Sequence, residues 1–284
     1  MAFSLSFSGG GCRCAAHIGV LKALSEHGLY PSAISGTSAG AIAAALFACG
    51  NPTDRLIEIC RELKKHGSLL LDWNISGIIT SALLRPFLGQ STLSGILRGK
   101  RLYSFLDMLF GDASFEDLKL PLFVAATDLV SGNTISFSQI KPIYRLTDTV
   151  WISNALLKDA VYSSCCLPSV FTPLKTPFGF VVDGGVTDNL PVDLLFAAGF
   201  PNIVAVDLSD TSPDVDINGL FEIAYRSVSV MGSRLQKCCV RGERLNIKPK
   251  LPPGAGVFSF DMLEQCIEAG YSSAIELIPI IEKL

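Results

Sequence analysis

Apolar positions follow two spacings along the chain, one typical of strands and one typical of helices. Short apolar or alternating segments predict strands at residues 3–7, 33–34, 120–126, 134–137, 178–182 and 203–206. Apolar residues at helical spacing predict helices at residues 15–27, 41–48, 54–65, 150–162, 217–235 and 262–281, the last interrupted by Gly270 and Pro279. Residues 66–110 are less regular. Because strands and helices alternate over most of the length, we expect an α/β fold with a parallel or mixed sheet and helices on both faces.

Composition fits one folded domain over residues 1–284, because no linker, repeat or low-complexity segment divides the chain. Hydrophobic residues make up 49% of it, which excludes a disordered chain and allows a sizeable core. The mean hydropathy of +0.43 is high enough that membrane contact has to be considered. However, the most apolar run, residues 39–50, is about half of the roughly 20 residues that span a bilayer. The N-terminus also lacks the basic start of a signal peptide.

Charge, cysteine and histidine usage narrow the chemistry further. The net charge of −3 gives no support to nucleic-acid binding, which needs a basic excess or a basic face. The nine cysteines are odd in number and form no Cys-x-x-Cys, which indicates reduced thiols and a cytoplasmic location. The three histidines, His17, His27 and His66, lack the spacing of metal ligands. We therefore expect no metal and no cofactor.

The segment Gly36-Thr37-Ser38-Ala39-Gly40 fits the Gly-x-Ser-x-Gly pattern of a nucleophilic serine. A predicted strand precedes it and an alanine-rich helix follows. The glycines give the clearance that a sharp turn needs, and the helix N-terminus favours negative charge that develops near Ser38. An ordinary serine that caps the helix would fit the same features, so the motif alone leaves both roles open.

The run Gly9-Gly10-Gly11-Cys12-Arg13 also joins a predicted strand to a predicted helix. Consecutive glycines allow backbone amides to converge on an anion. A Gly-x-Gly-x-x-Gly phosphate cradle fails at Cys14, and no Gly-Lys-Ser/Thr follows. The run therefore predicts either an oxyanion hole or a plain tight turn. Arg13 could hold the loop, meet a substrate phosphate or form a surface ion pair.

The proton acceptor for Ser38 is expected to be a carboxylate. No histidine follows residue 66, so the Ser–acid–His order of α/β-hydrolases fails over most of the chain. His17 is expected to pack or to lie exposed on a helix face, and His27 to favour a helix C-terminus.

Asp183 is the leading candidate, because it ends an apolar strand and precedes two glycines that permit a close approach to another loop. It could accept the Ser38 proton directly. Asp128 and Asp207 also end predicted strands and are rivals, and a turn-forming role for Asp183 stays open.

Three separated segments together resemble the patatin-like phospholipases. Ser8-Gly9-Gly10-Gly11-Cys12-Arg13 resembles the oxyanion loop of that family, residues 36–40 its nucleophile elbow, and Asp183-Gly184-Gly185 its catalytic Asp-Gly-Gly. Shorter blocks at residues 17–21, 126–129, 163–168 and 188–192 agree, and their order and spacing match over about residues 3 to 207. Cys14 is a departure, since the family usually has glycine there.

The resemblance implies a three-layer α/β/α sandwich with a mostly parallel central sheet. It also implies a lipid acyl hydrolase of phospholipase A or lysophospholipase type, in which Ser38 attacks the ester carbonyl and Asp183 is the general base. An oxyanion hole would come from the loop of Gly9, Gly10, Gly11, Cys12 and Arg13. Phospholipids or other lipid esters would be the substrates.

Residues 66–110 fall where such proteins often carry a cap, and residues 208–284 form a C-terminal part expected to be helical. We hypothesise that the cap segment covers the site and meets the acyl chain or a bilayer surface, which would make the protein peripheral to membranes; core packing would explain its apolar residues equally well. An acyltransferase with the same dyad, or an inactive lipid-binding scaffold, are the alternative functions.

Overall fold

The computed structural model describes residues 2–77, 95–176, 179–209, 223, 226, 227, 229–234 and 242–284. The expected helix at residues 217–235 therefore lies partly outside the described residues, as do residues 78–94 of the expected cap. Nine strands are described: β1 (Ser4–Phe7), β2 (Ile34–Thr37), β3 (Leu122–Asp128), β4 (Thr134–Phe137), β5 (Thr149–Ile152), β6 (Leu174–Thr176), β7 (Gly179–Asp183), β8 (Ile203–Val206) and β9 (Glu243–Ile247).

These strands form one mostly parallel sheet in the order β5-β4-β3-β2-β1-β8-β9. Strands β3, β2, β1, β8 and β9 are parallel to one another, and β5 is parallel to β4. Strand β4 is antiparallel to β3, and β7 is antiparallel to both β3 and β6. The expected mostly parallel sheet is confirmed.

Helices cover both faces of the sheet. Those described are α1 (Ala15–Glu26), α2 (Ala39–Ala48), α3 (Thr53–His66), α4 (Lys100–Phe110), α5 (Leu157–Cys165), α6 (Val192–Ala197), α7 (Leu263–Ile275) and α8 (Ile278–Ile281). Side chains of β3 alternate between two cores, as pleating requires. Val124 packs in the larger core with α1, α2, α3, α5 and α7, whereas Phe123 and Ala125 pack against α6. The three-layer α/β/α arrangement is therefore confirmed.

The helix predicted at residues 150–162 is wrong in its first part. Thr149–Ile152 forms the edge strand β5, and helix α5 begins only at Leu157. The Thr-Val-Trp-Ile sequence is β-branched and aromatic, a composition that strands favour. The apolar residues of β5 lie close along the chain to those of α5, so the two sets together resembled the pattern of one continuous helix.

The expected interruption of the last helix at Gly270 is also wrong. Helix α7 continues through Gly270, where a Cβ atom would overlap the Ala16 carbonyl of α1. A Cβ at Gly19 of α1 would likewise overlap the Ile267 carbonyl of α7. Glycine is therefore used here for close helix packing. The helix does end before Pro279, which lies in the first turn of α8.

Apart from β5, four elements were not predicted. Helix α6 (Val192–Ala197) has only six residues, too few to show a helical spacing of apolar positions. Helix α4 lies inside the segment that looked irregular, and it buries Leu102, Leu106 and Phe110 at intervals of four. Strand β6 is short, and β9 contributes an edge strand from the C-terminal part of the chain, with a charged sequence that gives little strand signal.

Candidate active site

Ser38 stands at a sharp turn between β2 and α2. Its backbone has φ 55° and ψ −132°, a region that non-glycine residues rarely occupy and that costs about 1–3 kcal/mol. The neighbouring glycines allow it, because a Cβ at Gly36 would lie 2.7 Å from the Gly40 carbonyl oxygen and one at Gly40 would overlap the Ser8 carbonyl. The strained turn argues against an ordinary cap, since the Ser38 side chain caps no amide of α2.

Strand β3 brings the ends of two other strands together. Thr37, the last residue of β2, pairs with Ala125 of β3. Asp183, the last residue of β7, pairs with the next residue, Ala126. Because β2 and β7 run in opposite directions along the same side of β3, their ends meet, and Ser38 faces Asp183.

The two side chains that the sequence singled out are in direct contact. The Ser38 hydroxyl donates to Asp183 Oδ2 at 2.6 Å. Asp183 is buried, and its other oxygen accepts the Gly185 amide at 2.7 Å. Burial raises the pKa of the Asp183 carboxyl from its ordinary 3.8 to about 6, although the hydrogen bonds from Ser38 and Gly185 act in the opposite direction. The carboxyl is therefore mostly ionised at neutral pH, and its pKa lies close enough to neutral pH for it to accept and release a proton.

The rival carboxylates have other partners. Asp128 accepts hydrogen bonds from Val130 and Ser131 within its own turn. Asp207 accepts the amide and the hydroxyl of Ser209. Of the three candidate carboxylates, Asp183 is the one that accepts a hydrogen bond from the Ser38 hydroxyl.

The glycine-rich loop lies beside Ser38, as a Cβ at Gly9 would come within 3.1 Å of Ser38 Cβ. Not all its amides point to the site. The Gly9 amide donates to the Asn189 carbonyl at 3.0 Å, and the Cys12 amide donates to the Val257 carbonyl at 2.8 Å. Within the described part of the chain, the Gly10 and Gly11 amides make no such bond, and both glycines line a pocket with Ser38.

Arg13 and Cys14 each donate a hydrogen bond to a backbone carbonyl of this loop. The Arg13 Nε donates to the Gly10 carbonyl at 3.2 Å, which is the loop-holding role that the sequence left open. The Cys14 thiol is buried and donates to the Ser8 carbonyl at 3.5 Å. Cys14 therefore packs behind the loop, and its side chain lies 3.5 Å from where a Gly10 Cβ would be.

His17 is buried beneath the same loop. Its Nε2 lies 2.8 Å from the Ser8 carbonyl oxygen, and its ring stacks on Phe7 with centroids 4.3 Å apart. Burial lowers the pKa of His17 to about 4, so the ring is neutral at neutral pH and Nε2 donates to Ser8. The packing role expected for His17 thus includes a hydrogen bond. His27 Nδ1 lies 2.8 Å from the Ala23 carbonyl at the end of α1, as expected for a helix C-terminus.

Ser164 belongs to the site but was not singled out as a site residue from the sequence. Its hydroxyl accepts the Ser38 amide at 2.7 Å and donates to the Ala125 carbonyl at 2.6 Å. A serine in a buried helix gives no signal of such a role, because both partners come from other elements.

Two cavities meet at Ser38. One is apolar, has a volume of about 160 Å³ and is lined by Cys14, Ile42, Leu46, Leu71, Leu102 and Phe105 among others. The other is smaller, about 60 Å³, and more polar, with Gly10, Gly11, Arg13, Asn189 and Ser209 on its walls. Ser38 therefore borders one apolar and one more polar space.

A family model for patatin-like phospholipases matches residues 5–196, more than half of the chain. The chain belongs to the patatin-like phospholipase family. Both the resemblance drawn from the sequence and the fold that it implies are confirmed.

Curated relatives of this patatin-like chain are longer proteins. An uncharacterised NTE family protein of Mycobacterium tuberculosis is 29% identical over 74% of this chain, which spans 31% of that protein. The neuropathy target esterase sws of Drosophila melanogaster is 29% identical over 76% of the chain, and the lysophospholipase nte1 of Aspergillus fumigatus is 30% identical over 79%. The matched region covers 13% of each of these two relatives.

Solved structures with the same fold include two from distant sources. VipD from Legionella pneumophila matches with a TM-score of 0.52 at 15% identity. The match covers 98% of this chain and 67% of the VipD chain. Human GIVD cytosolic phospholipase A2, solved with methyl gamma-linolenyl fluorophosphonate, matches with a TM-score of 0.50 at 14% identity. That match covers 99% of this chain and 58% of the phospholipase chain. At this identity the likeness concerns the fold of the patatin-like domain.

Neither a membrane-spanning helix nor a metal-binding cluster of side chains occurs among the described residues. None of the helices in that part of the chain is both long and apolar enough to cross a membrane. Nor do three His, Cys, Asp or Glu side chains among those residues group so that they could hold a metal ion.

Proposed function

We propose that the chain is a lipid acyl ester hydrolase of phospholipase A or lysophospholipase type, with Ser38 as nucleophile and Asp183 as general base. The observation that carries the proposal is the 2.6 Å hydrogen bond from the Ser38 hydroxyl to the buried Asp183 carboxylate. Names of the family and of its relatives, a lysophospholipase and an esterase, support the same ester chemistry.

In the acylation step, Ser38 Oγ bonds to the ester carbonyl carbon while its proton passes to Asp183. The carbonyl oxygen becomes an oxyanion, for which the Gly10 and Gly11 amides are the candidate donors; loss of one such donor typically costs about 2.7–4 kcal/mol of barrier. Asp183 then returns the proton to the departing alcohol, and the C–O bond of the ester breaks.

Deacylation repeats these transfers with water. Asp183 takes a proton from water as the water oxygen attacks the acyl carbonyl, and the same proton restores the Ser38 hydroxyl as the fatty acid leaves. A carboxyl with a pKa of about 6 suits both directions, because general acid–base groups act best near the working pH.

The apolar cavity supports a long acyl chain as the substrate's apolar arm. Each methylene buried there would contribute about 0.8 kcal/mol. Leu70, Leu71, Leu102 and Phe105 line this cavity and belong to residues 66–110, the expected cap. Their position supports a role of that segment in covering the acyl chain.

A fluorophosphonate probe tests the nucleophile directly. We expect the wild type to be labelled, Ser38→Ala to be unlabelled, and Ser104→Ala, which changes an exposed serine on α4, to be labelled like the wild type. Absence of labelling in the wild type with lipid present would support the inactive scaffold instead. Mass spectrometry of products from a phospholipid panel, with and without an acceptor alcohol, then separates hydrolysis from acyl transfer.

A further inference from the structure

An exposed apolar surface lies at the start of the expected cap. Leu69, Trp73 and Ile75 are 59%, 60% and 62% exposed, respectively. Single exposed apolar residues are ordinary, but three large ones within seven positions of the chain are a concentration that indicates an interaction site; they are called the apolar patch below.

The backbone that carries this patch is held in place. Trp73 pairs with Leu97 in an antiparallel bridge, and Leu97 pairs in turn with Phe171. The backbone amide of Asn74 donates to the backbone carbonyl of Ile96 at 2.8 Å, and the backbone amide of Arg98 donates to the backbone carbonyl of Asp72 at 2.9 Å. Trp73 is therefore held outward by a paired segment.

Basic side chains flank the apolar ones. Arg98 donates to the Asn74 side-chain oxygen and to Ser76 Oγ, and Arg101 donates to the Leu69 carbonyl. These acceptors are neutral, and within the described part of the chain no ion pair involves Arg98, Lys100 or Arg101.

Among the described residues, the nearby Asp72 carboxylate forms no ion pair with these basic side chains. The Asp72 carboxylate accepts the backbone amides of Gly99, Lys100 and Arg101, where it caps helix α4. The described residues within 67–104 include three basic residues, Arg98, Lys100 and Arg101, and one acidic residue, Asp72, whereas the whole chain has a net charge of −3. Positive charge is thus concentrated beside the apolar patch of an otherwise acidic protein.

This surface adjoins the apolar cavity. Leu70 and Leu71, which follow the exposed Leu69, line the cavity together with Leu102 and Phe105 of α4. The same short segment therefore presents apolar side chains outward to the surroundings and inward to the space that reaches Ser38.

We propose that Leu69, Trp73, Ile75, Arg98, Lys100 and Arg101, here called the Trp73 surface, dock the protein on an anionic phospholipid bilayer. Tryptophan suits the boundary between headgroups and acyl chains, and arginine and lysine are attracted to anionic headgroups. Docking would place the apolar cavity near the lipid. That benefit rests on the proposed function, but bilayer binding itself is measured without turnover.

Vesicle sedimentation of the full chain tests the surface. All proteins carry Ser38→Ala, so that the lipid stays intact whether or not the wild type hydrolyses it. We expect binding to vesicles of phosphatidylcholine with phosphatidylserine, weaker binding to phosphatidylcholine alone, and weaker binding at high salt. Trp73→Ser with Ile75→Ser should reduce binding, and Arg98→Gln, Lys100→Gln and Arg101→Gln should weaken it about fivefold for each charge removed.

The matched control is Val130→Ser with Lys141→Gln, which changes an exposed apolar residue and an exposed basic residue elsewhere on the protein. It should bind like the parent. Parent-like binding by both surface variants would overturn the proposal, as would an equal loss in the control. No binding to either vesicle would also overturn it, and would favour an acidic protein surface as the partner.

Tryptophan fluorescence gives a second measurement that needs no change at the Trp73 surface. The chain has two tryptophans, so Trp151→Phe leaves Trp73 as the sole reporter. Anionic vesicles should shift its emission to shorter wavelength, and brominated lipid should quench it. An unchanged spectrum on vesicles that sediment the protein would show that another surface binds, which overturns the proposal.

Discussion

The Ser164 hydroxyl accepts the backbone amide of Ser38 at 2.7 Å. The same hydroxyl donates to the Ala125 carbonyl at 2.6 Å, on the strand that sets the spacing between Ser38 and Asp183. Ser164 therefore joins the strained turn to β3 through a side chain from α5. Without it, a buried N–H and a buried C=O would both lose their partner.

Ser164→Ala should lower kcat toward the lipid ester and destabilise the fold by about 1–3 kcal/mol, the typical cost of unsatisfied buried polar groups. A displacement of the nucleophile by about 1 Å can reduce the rate roughly 100-fold. Ser163→Ala is the matched control, because the hydrogen bond that its hydroxyl makes among the described residues is to the Asp159 carbonyl, one turn back in its own helix. Full kcat in Ser164→Ala, measured with a soluble ester, would contradict a positioning role.

Asp183 should make both activity and stability depend on pH. With a pKa of about 6, the general base is lost by protonation, so kcat/KM of the wild type should fall as the pH drops below about 6. Asp183→Asn should have little activity at any pH. Initial rates between pH 5 and 8 check this, and a profile that stays flat through pH 6 would show that Asp183 is not the base.

The same shift has a defined sign for stability. The carboxyl ordinarily titrates near 3.8 but near 6 in the fold, so between these values the folded state binds more protons than the unfolded state. The Asp183 contribution to the free energy of unfolding therefore falls as pH rises from about 4 to about 6, by about 3 kcal/mol in total. Asp183→Asn should lack this decline when denaturant unfolding is followed across that range.

Local patterns could predict the fold class and the two residues proposed for catalysis. The turn at Ser38 needs flanking glycines, and the close approach of Asp183 needs glycine after it, since a Cβ at Gly184 would overlap the Ala125 carbonyl. These demands fall on neighbours in the chain, so they leave short motifs that can be read directly.

Contacts between distant segments left no such motif. Ser164 acts through Ser38 and Ala125, which lie 126 and 39 residues away along the chain. Gly270 resembled a helix interruption because its true partner, Ala16, lies on another helix. The Gly9 and Cys12 amides of the glycine-rich loop bond to the carbonyls of Asn189 and Val257. Because these two residues are distant along the chain, no local pattern shows which loop amides are left to face the pocket.

His17 should affect stability in acid with the opposite sign to Asp183. Burial lowers the pKa of its ring from 6.5 to about 4, so between these values the unfolded state binds more protons. The His17 contribution to stability is complete above about pH 6.5 and is lost as pH falls toward 4. His17→Gln can still donate to the Ser8 carbonyl but does not titrate, so its unfolding free energy should lose this dependence. If His17→Gln and wild type show the same pH dependence, the buried neutral ring is contradicted.

Ile42 offers a test of whether the apolar cavity holds the acyl chain, because it lies one helical turn after Ser38 and lines the wall of this cavity. In the wild type, kcat/KM should rise up to about fourfold for each added methylene of the acyl chain until the cavity is filled, as about 0.8 kcal/mol per methylene implies. Ile42→Phe should leave short esters unaffected and end this rise at a shorter chain, measured with a series of soluble esters. Ile57→Phe, at a partly buried position of α3 outside the cavity, is the matched control and should keep the wild-type profile. Equal profiles for Ile42→Phe and Ile57→Phe would mean that the acyl chain binds elsewhere.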